Sequence, residues 1–224
     1  MCGRFTIKAK TEQLREAVRG LTVTEWRGPR YNVAPTQPVP AVRNLGARAV
    51  EWLRWGLVPS WAKDVSVGSR MINARAESLA EKPSFRAALR ARRCVILADG
   101  FYEWAAAGPR KQPYYFQRPG GTPFALAGLW ESWVPETGGD AVLTCTIITT
   151  TANAVVAPVH ERMPVLLDPD AAECWLDPTP HAPEAWPSLL VPWPDHDLVA
   201  HPVSPLVNRP AVDDPRCVEP STPA

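Results

Sequence analysis

Cys94-Val95-Ile96-Leu97-Ala98-Asp99-Gly100-Phe101-Tyr102-Glu103-Trp104 decides the fold. β-branched and aromatic side chains dominate it and no proline interrupts it, so it reads as a strand. Four similar runs follow at Tyr114–Arg118, Phe124–Trp133, Val142–Thr150 and Met163–Leu167, most of them separated by Gly and Pro. Upstream, Val39–Arg43 and Ala49–Val58 are strand-like, and Val199–Val203 is a candidate last strand. Helical spacing is confined to short stretches. Leu14, Ala17, Val18 and Leu21 predict a helix over Thr11–Leu21 capped by Thr11, and Phe85, Ala88 and Leu89 predict one over Ser84–Ala91 capped by Ser84. Asp168-Pro169 starts a third, running through Leu176. There is no βαβ alternation, no Gly-rich phosphate loop and no internal repeat, which weighs against a nucleotide-binding fold. The expectation is a strand-dominated α+β chain with a few short helices. One domain covers residues 1–208, and residues 209–224, with little apolar periodicity, form a flexible C-terminal tail.

The composition allows a packed core: 46% of the 224 residues are hydrophobic and 21% charged. A formal net charge of +1 excludes a globally basic coat for nucleic acid and leaves room for a local basic cleft. Arginine far outnumbers lysine, and its planar fork of donors suits phosphate. The five cysteines, Cys2, Cys94, Cys145, Cys174 and Cys217, have no metal-like spacing, so neither a metal nor another cofactor is expected. The start is polar, and no stretch is long and apolar enough to span a bilayer. These features describe a reduced cytoplasmic protein, expected as a monomer.

Chemistry concentrates in four islands. The first is Met1-Cys2-Gly3-Arg4-Phe5. Aminopeptidases remove an initiator Met before a small residue, which would leave Cys2 with a free α-amine beside its thiol. Reference pKa values of about 7.7–8.0 and ~8.5 make both groups partly nucleophilic near neutral pH. Such a pair condenses with an aldehyde to an imine and closes it to a five-membered thiazolidine. The second island is Arg30-Tyr31-Asn32-Val33-Ala34-Pro35 with Arg54-Trp55-Gly56-Leu57-Val58-Pro59-Ser60-Trp61, in which Pro35 and Trp61 are apolar wedges able to stack on a base. The third is Met71-Ile72-Asn73-Ala74-Arg75-Ala76-Glu77: if extended, it puts Asn73, Arg75 and Glu77 on one face, an arrangement suited to a sugar-phosphate. In the fourth, Glu103 lies between Tyr102 and Trp104, where desolvation would raise its pKa and suit acid/base work, and His160 precedes Glu161-Arg162-Met163-Pro164. Each island alone also fits a structural role.

Together the islands resemble the SRAP (SOS response-associated peptidase) family. The likeness continues through His201-Pro202-Val203-Ser204 and so spans nearly the whole domain. It implies an SRAP-type domain with curved or barrel-like antiparallel sheets. It implies a sensor of abasic sites in single-stranded DNA, working in the DNA damage (SOS) response and associated with the nucleoid when bound to DNA. Carried over by motif, Cys2 forms a thiazolidine crosslink with the ring-opened sugar, and Asn73 positions the terminus and the lesion. Glu103 moves protons in ring opening and crosslink reversal, and His160 assists imine formation. Arg4, Arg75 and Arg162 are the expected phosphate contacts, with Arg86 a further one, and Pro35 and Trp61 stack near the flanking bases. Self-removal of Met1 would be the peptidase activity and crosslinking the lyase-like one. Two positions depart from the family: Ser60-Trp61 replaces a pair of adjacent Trp, and Met163 stands where some members carry Arg.

Other classes remain open on the residues alone. An N-terminal-nucleophile cysteine peptidase or amidohydrolase is the main alternative, because class II glutamine amidotransferases also begin Met-Cys-Gly. Their downstream Arg-Gly and Asn-Gly loops have no convincing equivalents in the first half of the chain. A non-covalent reader of single-stranded DNA is the third reading.

Overall fold

The computed structural model describes residues 2–107, 110–182 and 185–222. Met1, whose removal the crosslinking chemistry needs, lies outside them. In chain order the elements are β1 (Phe5–Ile7), α1 (Thr11–Leu14), β2 (Arg30–Val33), β3 (Pro38–Arg43), β4 (Glu51–Trp55), β5 (Asn73–Arg75), α2 (Pro83–Ala91), β6 (Arg93–Ala98), β7 (Gly100–Ala107), β8 (Arg110–Gln117), β9 (Phe124–Trp133), β10 (Val142–Thr151), β11 (Arg162–Pro164), β12 (Leu166–Leu167), α3 (Pro169–Trp175) and β13 (Val199–Pro202). The strand-dominated α+β class is as expected. None of the described helices is long and apolar enough to cross a membrane.

Two sheets share the work. In the larger, β4, β3, β6 and β9 run in order, and β10 pairs with both ends of that series, so five strands close into a barrel. β10 is antiparallel to β9 and parallel to β4, where Thr144 and Cys145 face Arg54 and Trp55. The far half of β10 carries β5 in parallel register and β11 in antiparallel register, both at Thr149. The interior is filled by fully buried side chains such as Val39, Leu53, Trp55, Cys94, Ile96 and Ile147. Helices α2 and α3 cover β6 and β9 from outside, which is why every residue of β6 is buried. The second sheet has the order β13-β8-β7-β1-β2. Strand β1 is therefore an inner strand, held by β2 on one side and β7 on the other.

The run Cys94–Trp104 turns out to be two strands in two different sheets, broken at Asp99. Its carboxylate accepts the backbone N–H groups of Lys8 (2.6 Å) and Ala9 (2.7 Å) and the Thr6 hydroxyl (2.5 Å), which locks β1 to the corner. Gly100 is the closest approach between β7 and a buried ring: a Cβ there would lie 2.1 Å from the Tyr115 hydroxyl oxygen. Because Tyr115 is buried and bonded to Thr6, it has little room to yield. Gly100→Ala should destabilise the fold by about 3 kcal/mol, the upper end of ordinary overpacking costs, as read by urea denaturation.

Three local expectations change. The first helix stops at Leu14 and continues as bonded turns (Ala17 N–H to Leu14 O, 3.1 Å), with Gly20 at φ 67° reversing the chain. The second starts at Pro83, whose fixed φ suits a first helical position, so Lys82 and not Ser84 occupies the cap. Residues 209–222, expected as a loose tail, pack on the second sheet. Asp213 accepts the N–H groups of Tyr31 (2.5 Å) and Asn32 (3.0 Å), and the Arg30 guanidinium also donates to it. The Asn32 side-chain amide donates to the carbonyls of Arg209 (3.0 Å) and Val212 (2.6 Å). Cys217 is fully buried beside Val203 and Val207. A few side-chain bonds to backbone hold this stretch in place, so apolar periodicity could not reveal it.

Candidate active site

The site forms where the two sheets meet. Phe5 faces Phe101 across β1 and β7, and the Tyr102 N–H bonds the Arg4 carbonyl at 3.0 Å. Continuing that register carries Gly3 and Cys2 alongside Glu103 and Trp104. From the barrel side comes Asn73, at the start of β5 opposite Ile147, whose Nδ2 donates to the Cys2 carbonyl at 2.8 Å. One amide thus ties the beginning of the chain across the sheet junction. Asn73 Oδ1 is buried without a partner among the described residues, leaving an acceptor beside the terminus. His160 enters from the loop between β10 and β11, half-buried, with Nδ1 accepting the Arg162 N–H at 2.9 Å. Cys2, Asn73, Glu103 and His160 therefore converge from four separate stretches of sequence.

Electrostatics follow burial. Glu103 is 3% exposed, and burial raises its carboxyl above the ordinary 4.5. Nearby positive charge, including His160 and Lys111, pulls the other way. The Cys2 thiol is fully buried, which pushes its pKa up, and the Glu103 charge pushes it further. In the chain that still carries Met1, sulfur is held as the thiol, out of contact with water. No group of three His, Cys, Asp or Glu side chains among the described residues is placed to hold a metal ion.

Two clefts open on either side. One, of about 470 Å³, is lined by Arg4, Glu103, Trp104, Lys111, His160 and Asn208. Arg4 is held by Asn32 Oδ1 and the Val207 carbonyl, both at 2.6 Å, and its guanidinium lies 5.9 Å from the Trp104 ring centroid. The Trp104 indole N–H donates to Asn208 Oδ1 at 2.7 Å. The other cleft, of about 820 Å³, holds Asn73, Arg75 and Arg162, with Arg70 and Lys82 beside them. Arg75 is exposed there, and Arg86 is exposed on α2 next to Phe85, which lines the same cleft. Arg162, in contrast, is largely buried: its guanidinium pairs with Glu77 at 2.8 and 3.0 Å and donates to the Thr149 carbonyl at 2.7 Å. Trp61 is 65% exposed and Pro35 half-buried, and neither lines these two clefts.

Sequence reading missed Lys111, Asn208, Arg70 and Lys82 as site residues. Lys111 reaches the site through the β7–β8 pairing, where it faces Ala106. Asn208 arrives through the C-terminal segment folding back. Neither route leaves a local pattern to read.

Fold and site together define a class: a barrel with a second sheet clasped to it, a cysteine at the chain's start, and cationic clefts around an acid, an imidazole and an amide. The chain belongs to the SOS response associated peptidase (SRAP) family, whose model matches residues 1–210. Among its relatives is the abasic site processing protein YoqW of Bacillus subtilis, 44% identical over 98% of this chain and 99% of that one. The abasic site processing protein HMCES of Xenopus tropicalis is 30% identical over 97% of this chain and 78% of its own length. A crystal structure of a protein from Bacteroides thetaiotaomicron superposes with a TM-score of 0.86 at 28% identity, covering 99% of this chain and all of that one.

Proposed function

We propose that this protein processes abasic sites in single-stranded DNA by covalent capture at Cys2. The observation that carries the reading is the Asn73 bond to the Cys2 carbonyl, which anchors the terminus where the Glu103 carboxyl and the His160 ring meet. The names of the relatives YoqW and HMCES support it.

The chemistry proceeds in three steps. With Met1 gone, the Cys2 nitrogen is an amine and not an amide. An abasic sugar is mostly a closed hemiacetal, so Glu103 moves a proton between the ring oxygen and the anomeric hydroxyl to expose the aldehyde. The amine adds to the carbonyl carbon, and loss of one water gives the imine. The thiol then adds across the C=N bond, its proton passing to nitrogen, and the thiazolidine closes. Amine, thiol and aldehyde thus yield one ring and one water. Run backwards with Glu103 as the acid, the same steps release the lesion.

A denaturing gel tests the reading. The processed protein mixed with a single-stranded oligonucleotide bearing one abasic site should give a slow band that survives boiling, absent with undamaged DNA. Failure to form that band with protein verified to start at Cys2 would overturn the proposal and favour an amidohydrolase. Binding itself should be electrostatic. Each phosphate neutralised on a single strand contributes a slope of about −0.7 to log K against log salt, so Arg75→Ala and Arg86→Ala should each flatten it by about that amount. Fluorescence anisotropy from 50 to 300 mM salt (roughly the range where counterion release dominates) reads the change.

A further inference from the structure

Asn32 of β2 is fully buried, and both ends of its side-chain amide are bonded. Nδ2 donates to the carbonyls of Val207 (3.2 Å), Arg209 (3.0 Å) and Val212 (2.6 Å), so three acceptors share two hydrogens. Oδ1 accepts from Arg4 Nη1 at 2.6 Å. Turning the amide over would set its oxygen against three carbonyls and its nitrogen against a guanidinium, so the network fixes which atom is which. The backbone N–H of Asn32 is held in turn by Asp213 at 3.0 Å. Oδ1 therefore occupies a fixed place.

Arg4 stands two residues after Cys2. Phe5 pairs with Val33, which brings the Arg4 and Asn32 side chains, each one residue away, to the same face of the sheet. The ladder fixes the Arg4 backbone, whose carbonyl accepts the Tyr102 N–H, but leaves the side chain free to turn. Nη1 spends its two hydrogens on Asn32 Oδ1 and on the Val207 carbonyl, both at 2.6 Å. Nε is buried without a partner among the described residues. Of the five N–H groups, the two on Nη2 are left for the cleft that Arg4 lines together with Glu103 and His160. The Val207 carbonyl is also bonded by Asn32, so both supports of the guanidinium depend on one amide.

We propose that Asn32 is a positioning residue for DNA binding. Through Oδ1, and through the Val207 carbonyl that its Nδ2 holds, it aims the Nη2 edge of Arg4 at a phosphate beside the abasic sugar. Position 4 thus needs an arginine held in one orientation, and a mobile positive charge does not replace it. The assignment rests on the DNA-binding part of the reading above and not on the crosslink.

The test measures binding of the full-length protein to a single-stranded oligonucleotide carrying one tetrahydrofuran abasic analogue, which has no aldehyde, by fluorescence anisotropy. Arg4→Ala should weaken binding about tenfold or more, the worth of a hydrogen bond to a charged group, and flatten the salt slope by about 0.7. Asn32→Ala should weaken binding to a similar degree, and its adduct rate at saturating natural abasic DNA should stay near wild type. The double variant should bind no more weakly than Arg4→Ala, because Asn32 acts through Arg4. Arg4→Lys keeps the charge and so the salt slope, loses the hold of Asn32, and should bind about tenfold more weakly. It leaves the buried amide in place, so it decides the matter alone should Asn32→Ala not fold. The proposal is overturned if the losses of Arg4→Ala and Asn32→Ala multiply in the double variant, or if Arg4→Lys binds as tightly as wild type. If wild type and variants bind the analogue as expected and natural abasic DNA gives no adduct, covalent capture fails and the role of Asn32 stands.

Discussion

Cys2→Ala should leave no DNA adduct that survives boiling, while sodium borohydride should still trap one. The two outcomes separate the two nucleophiles of the terminus. Alanine is small, so Met1 is removed and an α-amine remains. That amine can form the imine, which hydrolyses on heating unless hydride reduces it. Only the sulfur can close the ring and convert a reversible link into a stable one. Cys2→Ser tests the same step more finely: oxygen can close an oxazolidine, which reverts more readily than the sulfur ring, so the band should weaken with heating time. A heat-stable band from Cys2→Ala at the wild-type rate, without reductant, would end the thiazolidine account. The fully buried thiol makes the substitution mild for the fold, since it removes one sulfur from a packed site.

Glu103→Gln should slow adduct formation by about 10²–10⁴-fold, the usual contribution of a positioned acid or base. Reversal should slow with it, because ring opening and reclosure use the same proton. The same variant carries a stability signature. Burial raises the Glu103 carboxyl in the folded protein above its ordinary 4.5. Between the unfolded and folded values the native state holds the proton and the unfolded chain releases it, so stability falls as pH rises through that window. Above the window the cost is constant. Glutamine is never ionised and escapes it. At pH ~7.5 Glu103→Gln should melt higher, by about 2–4 °C if the cost is ~1 kcal/mol. The gain should shrink towards zero below the unfolded value, where Glu103 is neutral in both states. A variant both slower and less stable at neutral pH would contradict the assigned role of burial.

Long strands were legible because their patterns are long. Phe124–Trp133 stands as read, and Val142–Thr150 is one residue short. Strands β1, β2 and β5 have three or four residues each, below the length at which alternation can be seen. The break at Asp99 had a local signal, because Asp99-Gly100 is a turn dipeptide inside the run Cys94–Trp104, but the single-strand reading passed over it. What fixes the corner, Lys8, Ala9 and Tyr115, is remote in sequence. At the site, Cys2 stood out because position two gives it a chemistry that no internal cysteine has. Glu103 and His160 were readable as islands. Glu77 was read as part of the third island, but its pairing with Arg162 was not, and Asn208 was not read at all, since these contacts are set by strand pairing and by the return of the C-terminal segment.

The inner position of β1 sets a timetable during synthesis. Phe5 leaves the ribosome first, yet its partner Phe101 is made almost a hundred residues later. At about 5–20 residues per second, the nascent terminus waits several seconds with no sheet to join. An aminopeptidase can clip the methionine in that interval. Once β7 emerges and the sheet zips up, the Cys2 side chain is buried, and any methionine still present has to be removed from a folded chain. Slower clipping enzymes or faster translation would therefore yield a folded but chemically mute population, distinguishable by intact mass.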